Sequence, residues 1–399
     1  MTQATPQEIR PRFTRDERAR KAFTSSLRAH VLGPQARGMR QHFDDVVEPE
    51  FERTHGRTPA TSSEVRGVMK NERDFQFFSS VRSCAQEMVF ASVIPAVERG
   101  MDELAEKAAA LRADEDGVGG SLTLDADLAV PDNVTRLDVH LAPGSFHAEY
   151  KEHDVSAGAI YDSATRVFAF NQFGVDMNDV GMTMANYVRL KYPHLTLDKI
   201  LDCGCTTGHN TLPWATTFPD AEVHAIDVGP GLLRYANARA QALKVPVHFH
   251  QMNATSLTFA DNSFDVVFSS MFLHELPLKD IRAFFKEAHR VLKPGGLLLN
   301  MELPPNSKVA AYQGFHLDWD TYYNNEPFYK PFRDSNYQEL CESAGFAGDE
   351  FIEATLPRYT FVGEDAFAEA VDHPTVFDGQ TGRMDPKGTR WYGFGAFKR

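Results

Sequence analysis

Between Lys199 and Met301 the chain alternates short apolar runs with helical stripes, and few architectures accept that alternation. Segments 200–203, 223–226, 245–252, 264–269 and 297–301 read as five strands. A helix begins near His209, and Leu232, Ala236, Ala240 and Leu243 mark the face of a second. Ile281, Phe284, Phe285, Ala288 and Leu292 form a third stripe, stopped by Lys293-Pro294-Gly295-Gly296. Consecutive strands separated by helices are joined by crossovers, so the expected fold is α/β: a doubly wound, mostly parallel sheet with helices on both faces.

The rest of the chain divides around this unit. Residues 1–118 read as a helical N-terminal domain, with short patterns broken by Pro34, Pro49 and Pro59. From an N-cap at Ser62 or Ser63 the pattern strengthens: Phe77, Val81, Cys84 and Met88, then Met101, Leu104, Ala108 and Leu111, fall at helical spacing and predict a buried face. Residues 119–150 change period. Leu122, Leu124, Leu128 and Val130, then Leu137, Val139 and Leu141, alternate with polar residues around Pro131-Asp132-Asn133, which predicts a β-hairpin linker. Residues 151–399 hold the α/β unit with two insertions, an aromatic one at 305–334 and a second at 358–390, before a closing strand at 391–397.

Composition removes several classes of function. With 42% hydrophobic residues the chain has enough apolar surface to offset the entropy of ordering. A net charge of −14 opposes a phosphate backbone, so no nucleic-acid partner is expected. Four cysteines are too few for a disulfide framework, Cys203 and Cys205 stand too close for a CxxC pair, and no metal site is expected. No run of about 18 apolar residues is present, so no membrane span is expected. The Arg-rich opening carries Glu8, Asp16 and Glu17, unlike a transit peptide, and a cytoplasmic location follows as the default.

In doubly wound sheets ligands bind at the carboxyl ends of the strands, near the point where strand order reverses. The first strand ends in Asp202-Cys203-Gly204-Cys205-Thr206-Thr207-Gly208, where two glycines four apart let backbone approach a ligand. It is neither GxGxxG nor a P-loop. The second ends at Asp227, a carboxylate able to accept both hydroxyls of a ribose or to cap the helix after Gly229-Pro230-Gly231. The third ends at Asn253-Ala254, and the fourth at Ser269-Ser270-Met271-Phe272-Leu273-His274-Glu275.

In this order the motifs of residues 199–304 resemble the class I S-adenosylmethionine-dependent methyltransferases, especially the small-molecule branch that includes ubiquinone/menaquinone C-methyltransferases. The family pattern is a strand ending in Asp-x-Gly-x-Gly-x-Gly, an acid at the second strand, and a stretch like Leu-Pro-Phe-x-Asp-x-Ser-Phe-Asp before the fourth. Here Asp202 to Gly208, Asp227 and Leu257 to Asp265 fill those places, and Leu292-Lys293-Pro294-Gly295-Gly296 precedes the fifth strand. The resemblance implies a Rossmann-like methyltransferase fold over 150–399 and S-adenosyl-L-methionine as cofactor. It implies that Asp202, Gly204, Cys205, Thr206 and Gly208 surround the methionine part, Asp227 and Val228 the ribose, and Asn253 and Ala254 the adenine. Ser270 and Tyr161 would complete the site, Tyr161 with Phe168 and Phe170 lying where such enzymes close over the cofactor. Thr206 replaces the middle glycine, which narrows the methionine site or adds a hydroxyl, and Asn253 replaces an aspartate.

The implied reaction is an in-line displacement in which alignment and exclusion of water supply most of the acceleration. An oxygen or carbon nucleophile of high pKa also needs a base. His274, just past the fourth strand, is the first candidate; Glu302 and His316 are the others. The aromatic insertion suits a cover over a hydrophobic acceptor, with Tyr312, Phe315, Trp319, Tyr323 and Phe328 as substrate residues. The expected partners are a small-molecule acceptor and a second copy docked through the N-terminal helices. Two competing functions remain: methylation of a protein or nucleic acid, and a non-catalytic scaffold with an altered glycine loop. Base-directed amino methyltransferases carry Asn/Asp-Pro-Pro-Tyr/Phe after the fourth strand, where this chain reads Ser269-Ser270-Met271-Phe272.

Overall fold

The structure is a computed structural model and describes residues 9–112, 117–169, 173–174, 176–374 and 390–399. Phe170 and most of the second half of the 358–390 insertion lie outside the described residues.

Among the described residues eight strands form one sheet: β1 (Ser121–Thr123), β2 (Lys199–Cys203), β3 (Glu222–Asp227), β4 (His248–Gln251), β5 (Phe264–Ser270), β6 (Leu292–Glu302), β7 (Phe351–Pro357) and β8 (Arg390–Phe397). Their order is β1-β4-β3-β2-β5-β6-β8-β7. The first six are parallel, while β8 runs antiparallel to both β6 and β7. The five strands expected between Lys199 and Met301 are β2 to β6, and the order reverses between β2 and β5. Period-2 alternation explains the two cores. Ile200, Val266 and Phe268 point to one face, and Leu201 and Val267 to the other. Both sets are buried, because helices cover both faces of the parallel sheet. On the second face, helix Leu278–Val291 buries Ile281, Phe284, Phe285 and Ala288 completely, as its stripe predicts.

Three expectations are corrected. The 119–150 hairpin does not form: only Ser121–Thr123 is a strand, and it pairs in parallel with β4. Asp132–Thr135 is a helical turn and Val139–Leu141 a 3-10 turn, because Pro131 and the left-handed His140 (φ 56°) break the extended path. In helix Arg73–Arg99 the face marked by Phe77 and Cys84 points to solvent, with Phe77 66% exposed. The buried face carries Phe75, Phe78, Arg82, Gln86 and Val89 instead. The helix that starts near Ser62 is capped one residue earlier, by Thr61, whose side chain accepts from the Glu64 N–H.

The helices before residue 113 share their cores with the rest of the chain. Val31, Phe43, Val65, Phe75 and Phe78 pack with Tyr312, Phe315 and Trp319. Ile9, Val97, Leu104 and Ala108 pack with Val155, Ala159, Tyr235 and Ala238. No helix among the described residues is long and apolar enough to cross a membrane.

A histidine stack on the edge side of the sheet predicts acid sensitivity. His224 on β3 lies 5.1 and 5.2 Å, ring to ring, from His248 and His250, with Glu222 Oε1 3.3 Å from its Nε2. Burial, reinforced by the two neighbouring histidines and opposed by Glu222, pushes its pKa down to about 4 from 6.5. The unfolded chain therefore binds a proton at a pH where the native ring does not. Stability from this site is complete above pH 6.5 and is lost as the pH falls toward 4. His224→Phe keeps the stack and removes the titration, so its Tm should fall less steeply across that window. Parallel Tm–pH curves for variant and parent would reject the assignment.

Candidate active site

A cavity of about 280 Å³ opens at the carboxyl ends of β2 and β5, where strand order reverses. Helix Ser156–Phe168 forms one wall and helix Ala311–Tyr322 another, while Arg28 and Phe90 from the N-terminal helices reach its far side. Gly204, Cys205, Thr206, Ser270, Tyr161, His274 and His316 all line it. The loop after β2 and the turn after β5 thus share one space with the first base candidate.

The glycine loop is held open by backbone. Gly204 has φ 81°, and a Cβ there would stand 2.3 Å from the Phe272 ring, so only glycine fits. Thr206 takes φ 46° in place of the missing glycine, and its N–H donates to Asp227 Oδ2 at 3.0 Å. The Thr206 side chain works to lower the Tyr161 pKa, against burial. Burial raises the Tyr161 pKa to about 12, so the phenol stays protonated. Asp202 is buried and accepts from Thr211 Oγ1 at 2.5 Å, whereas its Oδ1 has no partner among the described residues. Burial raises its pKa to about 7, with Asp227 adding to the rise. A bare glycine backbone beside an orphaned carboxylate oxygen fits the amino-acid end of S-adenosylmethionine.

The other expected cofactor residues sit beyond the cavity lining. Asp227 accepts from the Gly229 N–H (2.9 Å) as well as from Thr206, and burial raises its pKa. Val228 lies beside it, its carbonyl accepting from Gln251. Asn253 Oδ1 accepts from the backbone and hydroxyl of Thr255, the turn role its residue type permits, and Ala254 is buried. Gly208 (φ 72°) ends the loop and starts the following turn.

His274 is 4% exposed, at the 3-10 turn Leu273–Glu275 that follows β5. Its Nδ1 stands 2.6 Å from Glu302 Oε2, and the Tyr329 ring stacks on it at 4.1 Å. Glu302, fully buried at the end of β6, also accepts from the N–H groups of Phe272 (2.9 Å) and Leu273 (2.7 Å). One carboxylate therefore fixes both the turn and the imidazole. Burial works against charge on His274, but Glu302 and Glu275 outweigh it and hold its pKa well above 6.5. His316 lines the same cavity, tilted against Trp319 at 5.5 Å.

The expected substrate aromatics are corrected. Tyr312, Phe315 and Trp319 are buried among the N-terminal helices, Tyr323 packs on the same cluster, and Phe328 precedes helix Tyr329–Arg333; none lines the cavity. The opposite face of helix Ala311–Tyr322 does, through His316, Leu317, Asp320 and Thr321. The aromatic residues answer an apolar surface 240 positions away, as the bond from Trp319 Nε1 to Ser79 Oγ (2.8 Å) records.

Sequence reasoning missed several polar groups. His209 lines the cavity, its Nε2 2.7 Å from buried Asp162 and its Nδ1 3.1 Å from Thr207 Oγ1. Burial, with Arg239 adding, pushes its pKa to about 4, so the neutral ring donates to Asp162 and accepts from Thr207. His140, Glu275 and Glu326 also escaped. Glu275 adjoins His274 in the chain, a usable signal, whereas nothing local marks His140 or Glu326.

Comparison with known proteins agrees with this geometry. The profile of a family described as a methyltransferase domain matches residues 200–296. The chain is 38% identical over 117 residues to malonyl-(acyl-carrier protein) O-methyltransferase of Hahella chejuensis, covering 29% of this chain and 40% of that one. It is 36% identical over 129 residues to a ubiquinone/menaquinone biosynthesis C-methyltransferase of Pasteurella multocida, covering 30% and 47%. These alignments span about half of those relatives' length or less. The demethylmenaquinone methyltransferase of Thermus thermophilus is covered more fully: 32% identity over 168 residues, 41% of this chain and 74% of that enzyme. With that match, a β2–β6 order that reverses beside an open glycine loop, and the family profile, the chain belongs to the class I S-adenosylmethionine-dependent methyltransferases.

Proposed function

We propose that the protein methylates an oxygen or an acidic carbon of a hydrophobic, ring-bearing small molecule. The observation that carries this reading is the buried His274–Glu302 pair, set in the same cavity wall as the glycine loop. S-adenosylmethionine supplies a methyl group on a sulfonium, which needs little covalent assistance from the protein. The chain's residues have three tasks. Gly204, Cys205 and Thr206 line one end of the cavity, with the free Asp202 Oδ1 behind them to receive an ammonium group. Phe90, Phe146, Phe168, Leu317 and Trp391 offer an apolar surface for a flat acceptor and exclude water. Glu302 and Glu275 hold the resting ring protonated, so the neutral His274 that takes the acceptor's proton forms only as pH rises toward its raised pKa. Glu302 orients the ring and stabilises the imidazolium. Bound beside Gly204, Cys205 and Thr206, the cofactor would supply an electrophilic methyl group, and the acceptor proton would go to the neutral His274 imidazole.

The relatives' names span O- and C-methylation, which supports the reaction class and leaves the acceptor atom to experiment. Calorimetry with S-adenosylmethionine and its demethylated product should show binding of both. Incubation with pooled phenols, quinone precursors and hydroxylated lipids should then give products heavier by one methyl group. Absence of binding by either cofactor form would leave only a scaffold.

A further inference from the structure

Next to the His274–Glu302 pair lies a second set of ionisable groups to which methyl transfer as described gives no task. His140 comes from the turn Val139–Leu141, Glu275 from the turn after β5, and Glu326 from the loop after helix Ala311–Tyr322. Together with the pair they form a row of alternating charge. Glu326 Oε1 stands 2.9 Å from His140 Nδ1, and His140 Nε2 stands 3.3 Å from Glu275 Oε1. The same Glu275 oxygen is 3.5 Å from His274 Nε2, while His274 Nδ1 is 2.6 Å from Glu302 Oε2. One carboxylate oxygen is therefore shared by two imidazoles. His140 and His274 line the cavity and Glu275 does not, so Glu275 acts on the base rather than on the acceptor.

The row is braced from the N-terminal helices. Gln86 Nε2 donates to the His140 carbonyl at 2.8 Å, and Gln86 Oε1 accepts from Arg28 and, at 3.3 Å, from Arg82. Asn325 Nδ2 donates to the Asp138 carbonyl at 2.9 Å, and the Asn324 amide contacts both His140 Nδ1 and Glu326. His140 and Leu141 hold left-handed backbone (φ 56° and 58°), a costly conformation for non-glycine residues that the surroundings must impose. The ring is thus placed beside Glu275 at some expense.

Glu302 and Glu275 both favour the imidazolium of His274, and two unopposed carboxylates against one ring would keep it protonated far above neutrality. A cation on the far side of Glu275 weakens one of them. Burial works against charge on His140, but Glu326 and Glu275 outweigh it and raise its pKa to about 10, so His140 is that cation at neutral pH. Tyr329, stacked on His274, brings no charge, because burial keeps its phenol protonated. Arg333 of the same helix is paired with Asp318 at 2.7 Å. We propose that His140 is a positioning residue for the base, setting the protonation of His274 through the Glu275 carboxylate that the two rings share. By offsetting that carboxylate it brings the proton-free form of His274 closer to neutral pH. The inference rests on the methyl-transfer reading, in which that form takes the acceptor's proton.

The test is a pH titration of full-length protein carrying isotope-labelled histidine, read by nuclear magnetic resonance at the ring Cε1 positions. His140→Gln and His274→Ala identify the two rings by their missing signals. In the parent His140 should be protonated at neutral pH. Glu275→Gln, which keeps the shape, should lower the midpoints of both rings, each by about one pH unit or more, because both lose the same carboxylate. His140→Gln should move the His274 midpoint the other way, upward. A merely structural role would carry His274 toward its ordinary 6.5 in both variants, so the opposed shifts separate charge from loosening. A His274 midpoint unchanged or lowered in folded His140→Gln overturns the proposal, as does a neutral His140 at neutral pH in the parent. If circular dichroism shows His140→Gln unfolded, Glu275→Gln decides alone: a midpoint shift in only one ring, or in neither, overturns the shared carboxylate. The titration needs no cofactor, so it can fail while S-adenosylmethionine still binds by calorimetry. Loss of cofactor binding instead removes methyl transfer, and the base role with it.

Discussion

His274→Ala should lower methyl transfer by about 10²–10⁴-fold, the range a positioned general base supplies, while S-adenosylmethionine affinity stays near the parental value. The separation follows from position. His274 lies past β5, anchored through Glu302 on β6, whereas the glycine loop follows β2. The loss should appear in kcat rather than KM, because proton removal matters only as the bond to the methyl carbon forms. Glu302→Gln keeps the acceptor oxygen for the Phe272 and Leu273 N–H groups but removes the charge that steadies the imidazolium. It should fall between the parent and His274→Ala. Unchanged turnover in His274→Ala, with the protein folded, would transfer the base role to His316, which lines the same cavity.

The largest stability effect should come from Asp162, a residue with no signature in the sequence. It is 1% exposed and meets His209 Nε2 (2.7 Å), Tyr235 Oη (3.0 Å), Arg10 Nε (3.4 Å) and an Arg166 nitrogen (3.4 Å). Burial alone would raise its pKa, but His209, Arg166 and Arg239 together hold it well below 3.8. Its contribution is therefore complete above that value and is lost as acid protonates it in the native state. Asp162→Ala strips the counter-charge from this cluster and should cost roughly 3–5 kcal/mol, the penalty for breaking a buried ion pair. That is a large part of the ~5–15 kcal/mol that holds a typical domain. Asp162→Asn, which keeps the shape, should cost less. Urea unfolding reads both, and an Asp162→Ala midpoint equal to the parent's would reject the assignment. The same change frees His209, so the cavity wall should loosen with the fold.

Locally encoded features were legible without coordinates. Strand and helix periods between Lys199 and Met301 are written in consecutive residues, and so are the glycines that let backbone approach a ligand at the end of β2. His274 and Glu302 could be found because each stands at a strand end, and parallel strands deliver their ends to one place. Neighbour relations across the chain were not legible. The buried face of helix Arg73–Arg99 carries Arg82 and Gln86, and Arg82 Nε bonds to Asp320 Oδ1 at 2.6 Å. Polar residues on a buried face erase the hydrophobic stripe that sequence reading follows, so the exposed Phe77 and Cys84 looked like core.

The alternating segment after Gly120 failed for a related reason: alternation permits a strand, but a hairpin needs a partner, and the available partner was the edge of β4. In the aromatic insertion, density of rings suggested a ligand cover, whereas the N-terminal helices had already claimed that face. The sequence by itself determined the α/β class, the family and the strand ends that border the cavity, because those depend on short-range order. Only the tertiary structure decided which side of helix Ala311–Tyr322 faces the cavity and that His140, Glu275 and Glu326 meet there, because contacts between distant segments depend on how the helices pack against the sheet.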